Sequence, residues 1–377
     1  LNLPIYKRGE MLGHIVSLMK NIVVTGSHGK TTTTSILSNI LNYAKLDPTI
    51  INGGVLNSIG SSAKLGKSEW SLIESDESDG SFLQIPFNYA IITNIDSEHL
   101  DYYKNIKNLK KKFTEFIDKT PSLGKSFLCL DDYNVRNVLT KIKNKNYYTY
   151  GLNKNSNFRI CNVVQKKKYS KFDVKIQIPG KRKNIKNLVI PLLGLHNIKN
   201  ATSALSVAFS IGVSDRIIKI GLKKFRGVQR RFNYLFDINN IPFFDDYAHH
   251  PTEIYSVLDG VRKVYKKEEI VCIFQPHRIS RLKSLKYEFS KCFKNANTIL
   301  LCPIYKAGEN IKLGFSYNSF AKLIVRNSNV NLISRFDKEE TVKNAANLSI
   351  FGWRKEAIPV TNTKKSVISK FFDLLFK

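Results

Sequence analysis

The segment from Gly26 to Thr33, with the sequence GSHGKTTT, contains the residue types that bind phosphate groups. Glycines let backbone N–H groups approach phosphate oxygens, and the N-terminus of a following helix adds favourable partial charge. Lys30 can reach the outer phosphates of a nucleotide, and the hydroxyl of Thr31 can bind Mg²⁺. The sequence therefore predicts a nucleotide-binding loop, whose contacting residues would be Gly26, Ser27, His28, Gly29, Lys30, Thr31 and Thr32.

The spacing of this loop departs from the usual P-loop pattern, G-x-x-x-x-G-K-[ST]. Val24 occupies the position of the first glycine. The loop nevertheless lies between a β-branched run at residues 21–25 and a helical pattern at residues 32–44, which is the context that a P-loop needs. The alternative interpretation is a glycine turn that only caps a helix.

Two further polar segments follow predicted strands. Glu74 opens a run of four carboxylates at residues 74–79, and a carboxylate at the end of a strand can hold the Mg²⁺ that a P-loop threonine also contacts. His99 lies in the second segment, residues 93–101, where it could bind a second metal ion or a phosphate. The alternatives are an acidic solvated loop and a structural histidine.

Asn197 and Asn200 lie three residues apart at the start of a predicted helix, so they share one face of it. An asparagine amide donates and accepts hydrogen bonds together, as recognition of adenine requires. Capping of the helix by Asn197 is the alternative.

The C-terminal part holds a segment rich in Asp and His at residues 245–253, and a second with Arg278 and Arg281. Arginines at strand ends suit planar carboxylates, which they bind through two parallel hydrogen bonds. A zinc site is disfavoured because the H-E-x-x-H spacing and a nearby set of cysteines are missing from the sequence. A capped helix and a basic surface are the alternatives.

Strand-like runs alternate with helical patterns along most of the chain, which predicts an α/β fold with a mostly parallel sheet. Strands are predicted at residues 21–25, 70–73 and 89–93, and helices at 106–117 and 197–211. Residues 157–190 read instead as short antiparallel strands forming an insert or a sheet edge. Later strands at 241–245, 270–274 and 298–302 predict a smaller, Rossmann-like C-terminal α/β domain, with an amphipathic helix at 367–376.

The net charge of the 377 residues is +30, which raises the hypothesis of nucleic-acid binding. The lysine clusters lie far apart and lack interleaved aromatic residues, so a solvated basic surface, which would steer anionic substrates, is favoured. Five scattered cysteines predict reduced thiols and a cytoplasmic protein. The sequence has no apolar run long enough for a membrane span, and it does not predict an oligomeric state.

Taken in order, these segments resemble the Mur ligase family, and within it the alanine-adding branch. The resemblance is carried by eight segments between residues 26 and 309, namely GSHGKTTTT, ESDESDGSFL, TNIDSEHLDYY, GLHNIKN, GVQRRF, DDYAHHPTEI, FQPHRISRL and IYKAGE. It implies a central ATP-binding domain at residues 21–227 and a C-terminal ligase domain at 228–377. It also implies that residues 1–20 are the linker remnant of an N-terminal UDP-binding domain.

The resemblance implies ATP and Mg²⁺ as cofactors, and ligation of L-alanine to UDP-N-acetylmuramate through an acyl phosphate, in the synthesis of peptidoglycan precursors. Lys30 would bind the ATP phosphates, and Thr31, Glu74 and His99 would hold metal ions. The remaining implied roles are adenine contacts by Asn197 and Asn200, a nucleotide contact by Asp246, phosphate contacts by Arg230 or Arg231, and amino-acid contacts by Tyr247, His249, Arg278 and Arg281. His249 is also the candidate base that takes a proton from the attacking amine.

Three other functions remain open on the sequence. The first is another ligase, such as a Mur ligase that adds a peptide to UDP-muramate or a folate polyglutamylating enzyme. The second is a P-loop nucleic-acid ATPase, which the charge favours and the motifs do not. The third is a nonenzymatic remnant.

Overall fold

A computed structural model of the chain describes residues 5–238, 241–309 and 315–334. The predicted tail helix at 367–376 lies outside these residues. Contacts divide the chain into two compact units, Leu1–Asn233 and Tyr234–Lys377.

The first unit is built on one ten-stranded sheet with the order β10-β9-β8-β7-β6-β5-β1-β4-β2-β3. The central strands pair in parallel, as the alternating pattern predicts. The strands are β1 (Lys20–Thr25), β2 (Thr49–Leu56), β3 (Ser61–Lys64), β4 (Trp70–Glu74), β5 (Tyr89–Ile92), β6 (Lys125–Cys129), β7 (Tyr147–Gly151), β8 (Phe158–Lys166), β9 (Tyr169–Ile178) and β10 (Lys181–Ile190).

Helices pack on both faces of this sheet, so its central strands are buried on both sides. Ile22 and Val24 of β1 belong to one apolar core, whereas Val23 between them belongs to the other. This explains why β1 reads as a continuous apolar run and does not alternate with polar residues. The helices are α1 (Arg8–Val16), α2 (Lys30–Tyr43), α3 (Leu100–Tyr103), α4 (Ile106–Asp118), α5 (Tyr133–Leu139), α6 (Leu195–Ser210) and α7 (Asp215–Lys223).

Two regions of the first unit bear on the sequence predictions. Strands β8, β9 and β10 pair antiparallel at one edge of the sheet, which confirms the expected antiparallel edge. Residues 8–16, within the predicted linker, form the helix α1, and Gly9 and Gly13 approach the 3₁₀ turn Ser81–Gln84 closely.

The second unit contains a three-stranded parallel sheet and a separate two-stranded sheet. The larger sheet orders its strands β13-β14-β15, and the core on it includes Phe289, Phe293 and Phe320. The predicted strand at 241–245 is present, but it pairs in the smaller sheet and not with the other strands. The elements are β11 (Asn233–Ile238), β12 (Ile241–Asp245), α8 (Pro251–Val264), β13 (Val271–Phe274), α9 (Ile279–Ser284), α10 (Lys286–Lys291), β14 (Thr298–Leu301), α11 (Tyr317–Ser328) and β15 (Asn331–Ser334).

Across the described ranges, no helix has the length and apolar character that crossing a membrane requires.

Leu109 of α4 and Leu123 in the following loop provide a matched test of the core. Leu109 is fully buried and Leu123 is 97% exposed. We expect Leu109→Ala to destabilise the first unit by ~2–5 kcal/mol because it removes buried methyl groups and leaves a cavity. Leu123→Ala should stay within about 0.5 kcal/mol. Hydrogen exchange of the β5 and β6 amides measures both, and equal protection in the two variants would contradict the assigned packing.

Candidate functional site

The predicted nucleotide-binding loop connects β1 to α2, and two glycines shape it. Gly26 has a φ of +124° and Gly29, which precedes the first residue of α2, has a φ of +81°. A Cβ at Gly26 would lie 2.2 Å from Thr93 Oγ1, and one at Gly29 would lie 2.8 Å from Asn200 Oδ1. Both positions therefore need glycine, for backbone conformation and for space. The first N–H groups of α2 lack carbonyl partners within the helix, so they are available to an anion.

The loop after β5 supports this backbone from one side. Asn94 accepts a hydrogen bond from the N–H of His28 at 2.9 Å and donates to the His28 carbonyl at 3.0 Å, where Thr93 also donates. The His28 ring contacts Asp96 at 2.9 Å, and the Ser27 hydroxyl accepts from the Asp96 N–H at 2.8 Å. His28 is thereby held in place by the side chains of Thr93, Asn94 and Asp96, and Ser27 by the backbone of Asp96.

The side chain of Lys30 turns back over the loop. Its ammonium donates to the carbonyl of Gly26 at 2.7 Å, to that of Ser27 at 3.3 Å and to the carboxylate of Glu77 at 2.7 Å. Burial alone would lower the pKa of Lys30, but the charges of Glu77 and Asp76, with the hydrogen bond to Glu77, outweigh burial and raise it. The ammonium is therefore charged throughout the physiological range.

Thr31 and Glu74 lie together, as the magnesium prediction requires. The hydroxyl of Thr31 donates to Glu74 Oε1 at 2.8 Å, and the other carboxylate oxygen accepts from the N–H of Gly53 at 2.6 Å. A Cβ at Gly53 would lie 2.7 Å from that carboxylate, so glycine in β2 allows the approach. Thr32, the last predicted phosphate contact, is buried in the first turn of α2.

His99 belongs to a second group of possible metal ligands. Ligand atoms of Asp76, Glu77 and His99 lie within 4.8 Å of one another. The backbone of His99 is left-handed, with a φ of +55°, and precedes the first residue of α3. The hydroxyl of Tyr103 donates to the carbonyl of Glu77 and so connects α3 to the acidic loop.

Asn197 and Asn200 are both buried at the start of α6. Asn197 donates to the carbonyl of Leu193 at 2.7 Å, and Asn200 packs against Gly29. Each asparagine therefore has a structural contact in the described residues, and their role in adenine recognition stays a prediction. Arg230 and Arg231 lie between α7 and β11, where Arg230 has a φ of +58°.

In the second unit, the loop between β12 and α8 carries the predicted Asp246, Tyr247 and His249. Asp246 accepts from the N–H of Ala248 at 2.7 Å, and the His249 ring contacts the Tyr247 carbonyl at 2.8 Å. Glu253 accepts from the N–H of His249 at 3.2 Å and takes part in the capping box that begins α8.

In the same unit, His277 lies between Arg281 and His249. Sequence reasoning did not select His277 as a site residue. Arg281 Nη1 lies 3.3 Å from Nδ1 of His277, whose ring is 5.8 Å from that of His249. His277 also stacks on Tyr305. Arg278, with a φ of +64°, precedes the first residue of α9 and donates its N–H to the Tyr305 carbonyl at 3.0 Å. The structure thus gathers the predicted arginines and His249 in one group.

Burial is the main cause that lowers the pKa of His249 to about 4, with a further contribution from Arg281. Glu253 opposes this shift, but its effect is smaller. The pKa of His277 is also lowered, by burial and then by Arg281 and Arg278. Both rings are therefore neutral near pH 7 and can accept hydrogen bonds.

Comparison with known proteins assigns both units to one family. The model of the Mur ligase middle domain matches residues 24–208, and that of the Mur ligase, glutamate ligase domain matches residues 230–350. The UDP-N-acetylmuramate–L-alanine ligase of Pelagibacter ubique is 61% identical over 93% of this chain and 75% of its own length. The enzyme of the same name from Agrobacterium fabrum is 43% identical over 86% of this chain and 69% of its own.

Solved structures show the same fold. The UDP-N-acetylmuramate-alanine ligase of Thermotoga maritima has a TM-score of 0.72 at 24% identity, covering 97% of this chain and 77% of its own. A murein peptide ligase from Psychrobacter arcticus has a TM-score of 0.62 at 22% identity, covering 90% of this chain and 74% of its own. The chain belongs to the Mur ligase family.

Gly29 and Gly60 test how tightly the loop is packed. Both have a positive φ, but a Cβ at Gly60 would meet nothing within 4 Å. Alanine at either position should cost about 1–2 kcal/mol of backbone strain. We expect Gly29→Ala to cost more because Asn200 must also move. Urea unfolding measures the difference, and equal losses would show that the approach of Asn200 is unimportant.

The pKa of His249 provides a second test. Its ring should titrate at about 4 in NMR spectra, below the ordinary 6.5. Since the unfolded chain binds the proton first, this histidine should reduce the stability of the second unit as the pH falls from 6.5 to about 4.

Arg281→Gln should move the midpoint of His249 upward because a neighbouring positive charge is removed, although burial remains. Lys263→Gln is the control, since Lys263 lies at the other end of α8 and pairs with Asp259 at 2.6 Å. An ordinary midpoint in the unaltered protein would refute the assigned burial.

Proposed function

We propose that the protein joins L-alanine to UDP-N-acetylmuramate, with ATP as the energy source, in the synthesis of peptidoglycan precursors. The observation that carries this proposal is the arrangement of Lys30, Thr31 and Glu74 at the start of α2, in a chain 61% identical to a relative named for this reaction. The family models matched by both units support the same conclusion.

The residues of the first unit fit a nucleotide bound with Mg²⁺. Gly26 and Gly29 leave no room for a side chain at their own positions, and the loop is followed by the N-terminus of α2, which suits phosphate oxygens. Thr31 and Glu74 offer neighbouring oxygen ligands of the kind that Mg²⁺ prefers, and His99 lies in the second ligand group. When bound, Mg²⁺ offsets the negative charge that develops on the phosphates during transfer.

The chemistry requires activation because a carboxylate is a poor electrophile. The γ-phosphoryl group of ATP passes to the muramoyl carboxylate, ADP leaves, and an acyl phosphate forms. The amine of alanine then forms the C–N bond, the C–O bond to phosphate breaks, and the amine loses a proton. Lys30 contributes positive charge to the first step, since its pKa is raised and its side chain lies over the loop.

The group in the second unit suits the amino acid. Arg278 and Arg281 would bind the carboxylate of alanine through paired hydrogen bonds. His249 would accept the amine proton, directly or through water. Its pKa of about 4 makes it a weak base, so its main contribution would be to accept a hydrogen bond from the amine. Tyr247 and Asp246, on the same loop, complete the proposed contacts, with Asp246 assigned to the nucleotide.

A different acceptor specificity is the second candidate, because a murein peptide ligase shares the fold. Comparing alanine with a short peptide as the amine separates the two. We further propose that the protein acts in the cytoplasm, where ATP is available, and that its charge of +30 serves anionic substrates and no specific nucleic acid. ATP hydrolysis stimulated by DNA would overturn this last assignment.

Alanine-dependent phosphate release with UDP-N-acetylmuramate and ATP tests the function. We expect Arg281→Ala to raise the KM for alanine about 10-fold or more while the KM for ATP changes little, because a charged hydrogen bond contributes ~1.5–3 kcal/mol. Lys30→Ala should instead weaken ATP binding by a comparable factor.

Lys263→Ala is the matched control, since this cation of the same unit pairs with Asp259. Unchanged alanine kinetics together with weaker ATP binding in Arg281→Ala would assign the arginine to the phosphates.

A further inference from the structure

The carboxylate of Glu77 is the one member of the acidic loop that is completely buried, among the residues described there. Its Oε2 accepts from Lys30 at 2.7 Å, and its Oε1 accepts no hydrogen bond from the described residues. A buried carboxylate is costly unless it is paired. Glu77 therefore depends on Lys30 for its compensation.

Lys30 in turn has all three of its ammonium hydrogens engaged. Two are donated to the carbonyls of Gly26 and Ser27, and the third to Glu77. A phosphate that binds Lys30 must therefore replace one of these acceptors. The carbonyls belong to the loop that would itself receive the phosphate, and they are neutral.

The free-energy cost of losing each acceptor indicates which one the phosphate replaces. If Lys30 left Glu77, it would leave a charge uncompensated inside the protein, which is the most unfavourable change available here. If Lys30 left a loop carbonyl, that carbonyl would lose one hydrogen bond. Phosphate should therefore replace the carbonyls while the contact with Glu77 persists.

We propose that Glu77 is a positioning residue for nucleotide binding, which anchors the Lys30 ammonium while phosphate oxygens replace the carbonyls of Gly26 and Ser27. The loop around Glu77 supports this role. Tyr103 donates to the Glu77 carbonyl, so α3 fixes the backbone from which the carboxylate projects. The inference rests on the proposed nucleotide function, because it concerns how the same lysine is held.

The first measurement is the affinity for the non-hydrolysable ATP analogue AMP-PNP with Mg²⁺, by calorimetry. Glu77→Gln keeps the size of the side chain and removes its charge. We expect its Kd to rise about 10-fold to 100-fold, the loss expected for one charged hydrogen bond. Glu77→Asp, which keeps the charge, should recover part of the affinity. A lower Kd in Glu77→Gln would overturn the inference, because the carboxylate would then only compete with phosphate.

A double-mutant cycle with Lys30→Met separates positioning from a general structural effect. If Glu77 acts through Lys30, then Glu77→Gln should change the Kd little in the Lys30→Met background. The same coupling between Glu77 and Lys30 should be seen in thermal stability. Lys30→Met alone should melt at a lower temperature than the double variant, because the single change leaves the Glu77 carboxylate unpaired. Additive effects in both measurements would overturn the inference.

Glu69→Gln is the matched control. Glu69 pairs with Lys20 at the same distance of 2.7 Å, but both side chains are at least half exposed. The Kd of the Glu69→Gln variant for AMP-PNP should equal that of the unaltered protein. If the unaltered protein fails to bind AMP-PNP, the nucleotide proposal is overturned and this inference with it. If it binds and Glu77→Gln binds equally well, only this inference is overturned.

Discussion

The close approach of neighbouring segments to the loop backbone at the end of β1 is the constraint on which the site depends. Gly26 lies against the loop after β5, and Gly29 lies against α6. Each glycine removes a side chain at a point where another segment must come within contact distance, and each adopts a positive φ. Because β1 lies between β4 and β5, the loops after three neighbouring parallel strands meet at one edge of the sheet. The predicted nucleotide-binding loop, the acidic loop and the loop carrying His99 are thereby assembled together.

The electrostatics of this edge differ from those of the protein as a whole. The chain carries a net charge of +30, yet Lys30 is surrounded by Glu74, Asp76 and Glu77. A local excess of carboxylates around one buried ammonium suits a site that receives a metal ion together with phosphates. The second unit shows the opposite arrangement. There Arg281 lies beside His277, and burial, followed by the charge of Arg281, lowers the pKa of His249, which suits an anionic carboxylate. The two units thus carry complementary chemistry within one chain.

Much of this was predictable because each chemical segment follows a strand. The sequence predicted the phosphate loop, Glu74 and His99, and it predicted the parallel sheet with its antiparallel edge. Glu77 was visible only as one carboxylate among four, since burial distinguishes it and sequence spacing does not. Gly53 and Asn94 were missed because their contacts join segments far apart in the chain. His277 was missed although it lies four residues before Arg281, because its approach to His249 joins two separate segments. The strand at 241–245 was predicted correctly, but its pairing with β11 was not predicted, since an apolar strand pattern specifies burial and not its neighbour.

The two units also share a conformational feature at their predicted functional residues. His99 and Arg278 both precede the first residue of a helix that follows a parallel strand, and both have a positive φ, which is uncommon outside glycine. Such a conformation costs about 1–3 kcal/mol and persists only where the surroundings hold it in place. Glycine would remove that cost at either position, but it would also remove the imidazole or the guanidinium. A positive φ is shared by eleven described residues other than glycine, so backbone strain becomes informative only together with the side-chain neighbours. His99 lies with Asp76 and Glu77, and Arg278 contributes to the lowered pKa of His277. The side chain and its neighbours together therefore support a role for each residue.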